Sequence, residues 1–311
     1  MTNLNRLAVA ALSVATLSLS KVGVAQGNSN FDLTYRLEQN SSSPETELAQ
    51  WASPAIFSAR PQAKGARLSL GQYYATLEGR TLEAKELILS FVPNEKALVW
   101  FSKQDYLAKG RSAKSRFRMT ADTYGFRYIV DGPDGYGGGS TAIQIEAFRP
   151  SSADAVTGGG GATFFATKNV SYSLIHSRGE NDYQLGFTTV RGAASGKSDV
   201  IELAMGRSMQ LKEKLKARLE GHLVGQSLKG NGFNIGMEVR PVLFGALSYN
   251  AASWLSVEGD LSVMPMGMPI AGGRMTAFSS FQIYNPGGAV AGLRTKFTAL
   301  GSLRLLFHAR F

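Results

Sequence analysis

Apolar and polar residues alternate one for one along most of this chain, in short runs broken by turn-forming residues. In 181–190, Tyr183, Leu185, Phe187 and Thr189 alternate with Asp182, Gln184, Gly186 and Thr188. In 232–240, Phe233, Ile235, Met237 and Val239 alternate with Gly232, Asn234, Gly236, Glu238 and Arg240, and 255–263 sets Leu255, Val257, Gly259, Leu261 and Val263 against Ser256, Glu258, Asp260 and Ser262. Successive side chains of a strand point to opposite faces, so each run has one apolar and one polar face. Similar runs at 66–77, 84–92, 96–107, 114–130, 140–149, 162–175, 181–191, 198–208, 211–225, 232–247, 252–264, 273–284 and 289–311 are separated by Gly, Pro, Asn, Asp and Ser, as a β meander requires. The last of them has room for a hairpin.

One run is ambiguous by period. In 211–225, Leu211, Leu215, Leu219 and Leu223 recur every fourth residue, which suits a helix, yet the leucines also alternate with Lys214, Lys216, Arg218, Glu220 and His222. A helix would enclose Gly221 and Gly225, each costing about 1 kcal/mol relative to Ala. It would also stand alone among strands. The strand reading is adopted, and its charged face must then meet water.

Alternation of this kind fits two all-β architectures, a soluble sandwich that hides its apolar faces in a core and a transmembrane barrel that turns them to lipid. The mean hydropathy of −0.07 fits either, because alternating faces cancel in the average. Past residue 25 no run of about 18 apolar residues occurs, so membrane-spanning helices are not expected. The first 25 residues have the form of a secretory signal: Arg6, then the apolar 7–20, then small residues Gly23 and Ala25 before Gln26. Without them the chain carries 31 basic and 23 acidic residues, a net charge of +8. In an exported protein that excess suits an anionic membrane surface or an anion pathway better than nucleic acid. There are no cysteines, so disulfides and thiolate metal sites are excluded.

The end of the chain sharpens the choice. In "GSLRLLFHARF", Leu303, Leu305, Phe307, Ala309 and Phe311 share one face, with Arg304, His308 and Arg310 on the other. This resembles the closing strand of Gram-negative outer-membrane proteins, which ends in an aromatic residue, usually Phe. The resemblance implies an antiparallel up-and-down transmembrane β-barrel in the outer membrane, with Phe307 and Phe311 as the signal to the barrel-assembly machinery and outer-membrane lipid as the surrounding partner. Chain ends on one side require an even strand number, and about twelve strands, within a range of ten to fourteen, fit the runs above. The expected organisation is 1–25 as signal, 26–65 as a periplasmic or plug-like segment and 66–311 as barrel. A shorter stretch, "SPAIFSARPQAKGARLSLGQYY" at 53–74, resembles the opening of barrels associated with exopolysaccharide export.

Motifs for chemistry are sparse. "GAASGKSD" at 192–199 echoes a phosphate-binding loop but is one residue short and precedes a strand, where the phosphate loop needs a helix N-terminus. The glycine-rich 132–140 and 157–162 read as hairpin loops. The three histidines, His176, His222 and His308, are too scattered for a metal site, and no cofactor is expected. His176 and Ser177, the one candidate pair for a barrel lipid hydrolase, are adjacent on a strand and so point to opposite faces. An enzyme is not expected.

The polar faces carry the functional expectation. Lipid-facing charges near the midplane cost about 2–4 kcal/mol, so Lys214, Lys216, Arg218, Glu220, His222, Glu258, Asp260, Arg294 and Lys296 are expected to line a lumen. Lys114, Arg116, Arg118, Arg304 and Arg310 belong to the same pattern. Bases on one side and acids on the other suit a channel or export conduit for anionic solutes or polysaccharide. The alternatives are a non-conducting barrel that makes contacts through loops around 131–140 and 151–161, and a soluble periplasmic β protein with an anionic ligand.

Overall fold

The computed structural model describes residues 51, 53–77, 80–109, 116–132, 138–156, 168–191, 197–230, 233–267, 273–274, 276–278, 282–283 and 298–309. The long strands are β1 (Gly65–Leu77), β2 (Arg80–Asn94), β3 (Ala97–Lys109), β4 (Arg116–Asp131), β5 (Ser140–Val156), β6 (Lys168–Arg178), β7 (Asn181–Arg191), β8 (Lys197–Lys212), β9 (Leu215–Gly230), β10 (Phe233–Ala252), β11 (Leu255–Met264) and β14 (Thr298–Ala309). Each pairs antiparallel with its sequence neighbour, and β14 closes the ring by pairing with both β11 and β1. Twelve strands therefore form one closed barrel, not the two facing sheets of a sandwich. Two further strands, β12 (Gly273–Arg274) and β13 (Gln282–Ile283), pair only with each other, so the run expected over 273–284 is not part of the wall.

The expected single strand over 211–225 is corrected. Glu213 and Lys214 form a two-residue turn, so Leu211 and Lys212 close β8 and the alternation resumes in β9. Lys214 is accordingly exposed at the barrel's end and does not line the lumen.

Burial tells the two faces apart. On the outer face Leu174, Leu185, Leu203 and Leu223 stand side by side across β6 to β9, each about half exposed, with Tyr172, Phe187 and Ile201 in the next row. Inward positions of the same strands carry Ser173, Asp182, Gln184, Glu220 and His222, all buried. A row of leucines facing outward is stable only against a medium as apolar as itself, so this exterior is built for lipid.

The two ends of the barrel differ. At the end where β1 begins and β14 finishes, four of the five links are two residues long, at 95–96, 179–180, 213–214 and 253–254. The opposite end has two-residue links at 78–79 and 231–232 but also the longer links 110–115, 157–167, 192–196 and 265–297. Outer-membrane barrels keep short turns inside and long loops outside, which orients the wall. Residues 131–140 and 151–161, expected together as contact loops, fall at opposite ends of β5, and 151–156 is strand.

Candidate functional site

The lumen is filled from both mouths. Near the short-turn end, residues 53–60 cross the interior before the chain enters β1, and Ile56, Phe57 and Ala59 are fully buried among the inward side chains. From the long-loop side, the turn Thr276–Ala277–Phe278 reaches in and is equally buried. The two meet where Ser53 Oγ donates to the Phe278 carbonyl at 2.7 Å and the Trp51 and Phe278 rings lie 5.5 Å apart.

The strap 53–60 has no sheet partner, so its backbone groups need others. Arginines supply partners for four of its carbonyls. Arg127 on β4 donates to the carbonyls of Pro54 (2.7 Å), Ile56 (2.9 Å) and Ser58 (3.1 Å), while its Nε holds Gln144 at 2.8 Å. Arg218 on β9 donates to the Phe57 carbonyl at 3.1 Å and lies over the Phe57 ring, 4.9 Å from its centroid. The Ala59 amide donates to Ser177 Oγ, and Arg60 forms an ion pair with Asp182 at 2.8 Å. Arg304 on β14 donates to Ser53 Oγ at 3.0 Å.

Two of these arginines reach acids two strands away by crossing a glycine. Arg218 on β9 contacts Asp182 on β7 at 2.5 Å, and the residue between them on β8, directly opposite Asp182, is Gly206. A methyl group at Gly206 would come within 2.4 Å of the Arg218 guanidinium. Arg304 on β14 contacts Glu86 on β2 at 2.7 Å across Gly71 on β1, which is paired with both. There a methyl group would lie 3.0 Å from Arg304 Nε. In each case the missing side chain is the channel through which the guanidinium passes.

Further contacts join these groups into two charged clusters. Arg218 also binds Glu220 at 2.5 Å, and the His222 ring sits between Glu220 (3.0 Å) and Glu202 (2.6 Å) with Phe57 and Phe244 edge-on to it. Glu86 accepts from Tyr73, Ser102 (2.7 Å) and Gln104 (2.8 Å) besides Arg304. Asp260 accepts from the Phe278 amide at 3.1 Å, and Glu258 stands opposite Arg304 on the adjoining strand. A buried charge is tolerable only when paired and hydrogen-bonded in this way.

Of the residues expected to line the lumen, Lys216, Arg218, Glu220, His222, Glu258 and Asp260 are buried on the inward face. Lys214 is in the turn, and Arg294 and Lys296 lie outside the described residues. Arg118 is corrected as well: it is exposed on the outer face, bound to Asp105 at 2.7 Å. Phe307 faces outward against Trp254, and Phe311 is outside the described residues. His176 points outward near Thr141 while Ser177 points inward to Asp182 and the strap, so the two share no site. Sequence reasoning expected 26–65 as a periplasmic or plug-like segment without naming the strap's residues, and it did not single out Arg127, Asp182, Gly71 or Gly206 as site residues. The available signal was a glycine at an inward position whose flanking strands carry an arginine and an acid.

No protein-family model and no curated protein matches the chain. Among solved structures it is similar to an outer membrane channel from Pseudomonas putida F1, with a TM-score of 0.52 and 9% identity over 81% of this chain and 98% of that one. The translocator domain of the autotransporter NalP from Neisseria meningitidis gives a TM-score of 0.43 and 11% identity over 80% and 90% of the two chains. The fold is that of the Gram-negative outer-membrane β-barrels.

Proposed function

We propose that this barrel is an outer-membrane conduit held shut by the strap 53–60, and that it favours anionic solutes when the strap leaves. The observation that carries this reading is the way Arg127 is held. Three of its contacts go to strap carbonyls, so withdrawing the strap uncovers a guanidinium inside a narrow lumen, where a fixed charge selects ions of opposite sign. The similarity to an outer membrane channel supports the conduit; the anion preference rests on Arg127, Arg218 and Arg304.

A second reading has its own support. Inward acids Glu86, Glu146, Asp182, Glu220, Glu258 and Asp260 at least match the inward bases Arg67, Arg127, Lys216, Arg218 and Arg304, as in a permanently filled structural barrel. Single-channel recording in planar bilayers separates the two. Phe57→Ala removes the strap's largest buried side chain; it is expected to give long open events with an anion-selective reversal potential where the unaltered chain is mostly closed. Phe57→Ala with Arg127→Gln is expected to keep the openings and lose the selectivity. Silence in every variant that migrates as a folded barrel would favour the filled structural barrel and sink the conduit.

A further inference from the structure

The outer face carries one row of like charges that the sheet does not balance. Lys168 on β6, Arg191 on β7, Lys197 on β8 and Lys229 on β9 are direct cross-strand neighbours, all exposed, at the long-loop end of their strands. Neighbouring strands are about 4.8 Å apart, so the four cationic groups span about 15 Å. Like charges set directly opposite one another destabilise a sheet, and among the described residues Asp199 alone answers them, 3.3 Å from Lys197.

On β2 to β5 outward charges of both signs sit opposite one another: Lys103 faces Asp122, Asp122 faces Arg149, and Arg118 binds Asp105, although Lys109 and Arg116 are also paired in register. Among the described residues the run of four bases on four consecutive strands is confined to β6–β9, and it lies above a regular part of the lipid-facing surface. Below it come Val170 and Thr189, then Tyr172, Phe187 and Ile201, then the four leucines. Any ligand that answers the row must hold negative charge at the height of the bases and hydrocarbon at the height of the rings and leucines.

We propose that Lys168, Arg191, Lys197 and Lys229 form a clamp for the phosphate groups of a phosphorylated glycolipid of the outer leaflet, whose acyl chains lie along β6–β9. A lysine or arginine near an anionic lipid surface contributes about fivefold in affinity, so removing three of them is worth on the order of a hundredfold. Lys197, already engaged with Asp199, is the least exposed to this count.

The test uses the full chain folded in detergent, titrated with bisphosphorylated lipid A and read by native mass spectrometry. The variant Lys168→Gln/Arg191→Gln/Lys229→Gln should bind the lipid on the order of a hundredfold more weakly, Arg191→Gln alone about fivefold, and the unaltered chain should bind the fully dephosphorylated lipid as weakly as the triple variant. Lys103→Gln/Arg118→Gln, which removes balanced bases elsewhere on the same exterior, should leave binding unchanged. Retention of full affinity by the triple or the single variant would overturn the clamp, and so would an equal loss in the Lys103/Arg118 control. Displacement of the lipid by inorganic phosphate would mark a plain anion site and overturn the glycolipid assignment. The readout is independent of conductance, so it stands apart from the strap.

Discussion

Two glycines decide whether the interior charges can meet. Gly206 lets Arg218 cross β8 to Asp182, and Gly71 lets Arg304 cross β1 to Glu86. A methyl group at Gly206 would stand 2.4 Å from the guanidinium nitrogen that carries the strap contact, whereas at Gly71 the closest approach is 3.0 Å. Gly206→Ala should therefore pry Arg218 from Asp182 and approach the cost of breaking a buried ion pair, about 3–5 kcal/mol, with Gly71→Ala losing less. Urea unfolding in lipid vesicles reads both. In an Arg218→Met background the added loss from Gly206→Ala should shrink to what the 3.2 Å approach to Phe57 leaves, since the guanidinium clash is gone; additive losses would show that Gly206 acts through something else.

At the scale of elements, the β8–β9 hairpin explains what the sequence hid. A two-residue turn is an even number of residues, so inward positions stay even-numbered on both sides of Glu213 and Lys214, and the alternation runs through the turn without a break. The alternation alone therefore puts the break between the runs 198–208 and 211–225 at 209–210, short of the turn at 213–214, and reads Lys214 into a lumen it does not enter. Lys214→Glu should leave stability within about 0.5 kcal/mol and reversal potential unaltered, whereas Lys216→Glu, buried and inward two residues later, should destabilise the folded barrel measurably. Equal effects of the two would contradict the turn. The wall strands themselves were legible because each obeys a period of two. For the strap only a periplasmic or plug-like segment over 26–65 could be expected; its path was not legible, since 51–60 has neither period nor sheet partners and is placed by arginines from three separate strands.

For the molecule as a whole, closure depends on a seam between its first and last strands. Leu305 on β14 faces Leu70 on β1 and Val257 on β11 at once. Leu305→Pro removes a ladder donor from a strand paired on both edges, and proline is tolerated in sheets only at edges and bulges. The variant should lose the compact, heat-modifiable band that closed barrels show on gels, and retention of that band would mean the seam closes without this residue. The twelve-strand count was within reach of the sequence because turns and terminal pattern fixed an even number near it. Which charges neutralise which was not, because those pairs join strands two apart and follow from the barrel's register.

The meeting of the strap with the 276–278 turn has a thermodynamic consequence. Ser53 and Trp51 on one side touch Phe278 on the other, so a molecule that binds at the cell surface and draws Phe278 away changes the free energy of the strap at the opposite mouth. Linkage makes that coupling reciprocal: whatever factor an outside ligand imposes on strap release, a partner that captures the strap from inside imposes on the outside ligand's affinity. With the strap leaving as proposed, any binding event at one mouth is thermodynamically coupled to the other through the Ser53 and Trp51 contacts with Phe278.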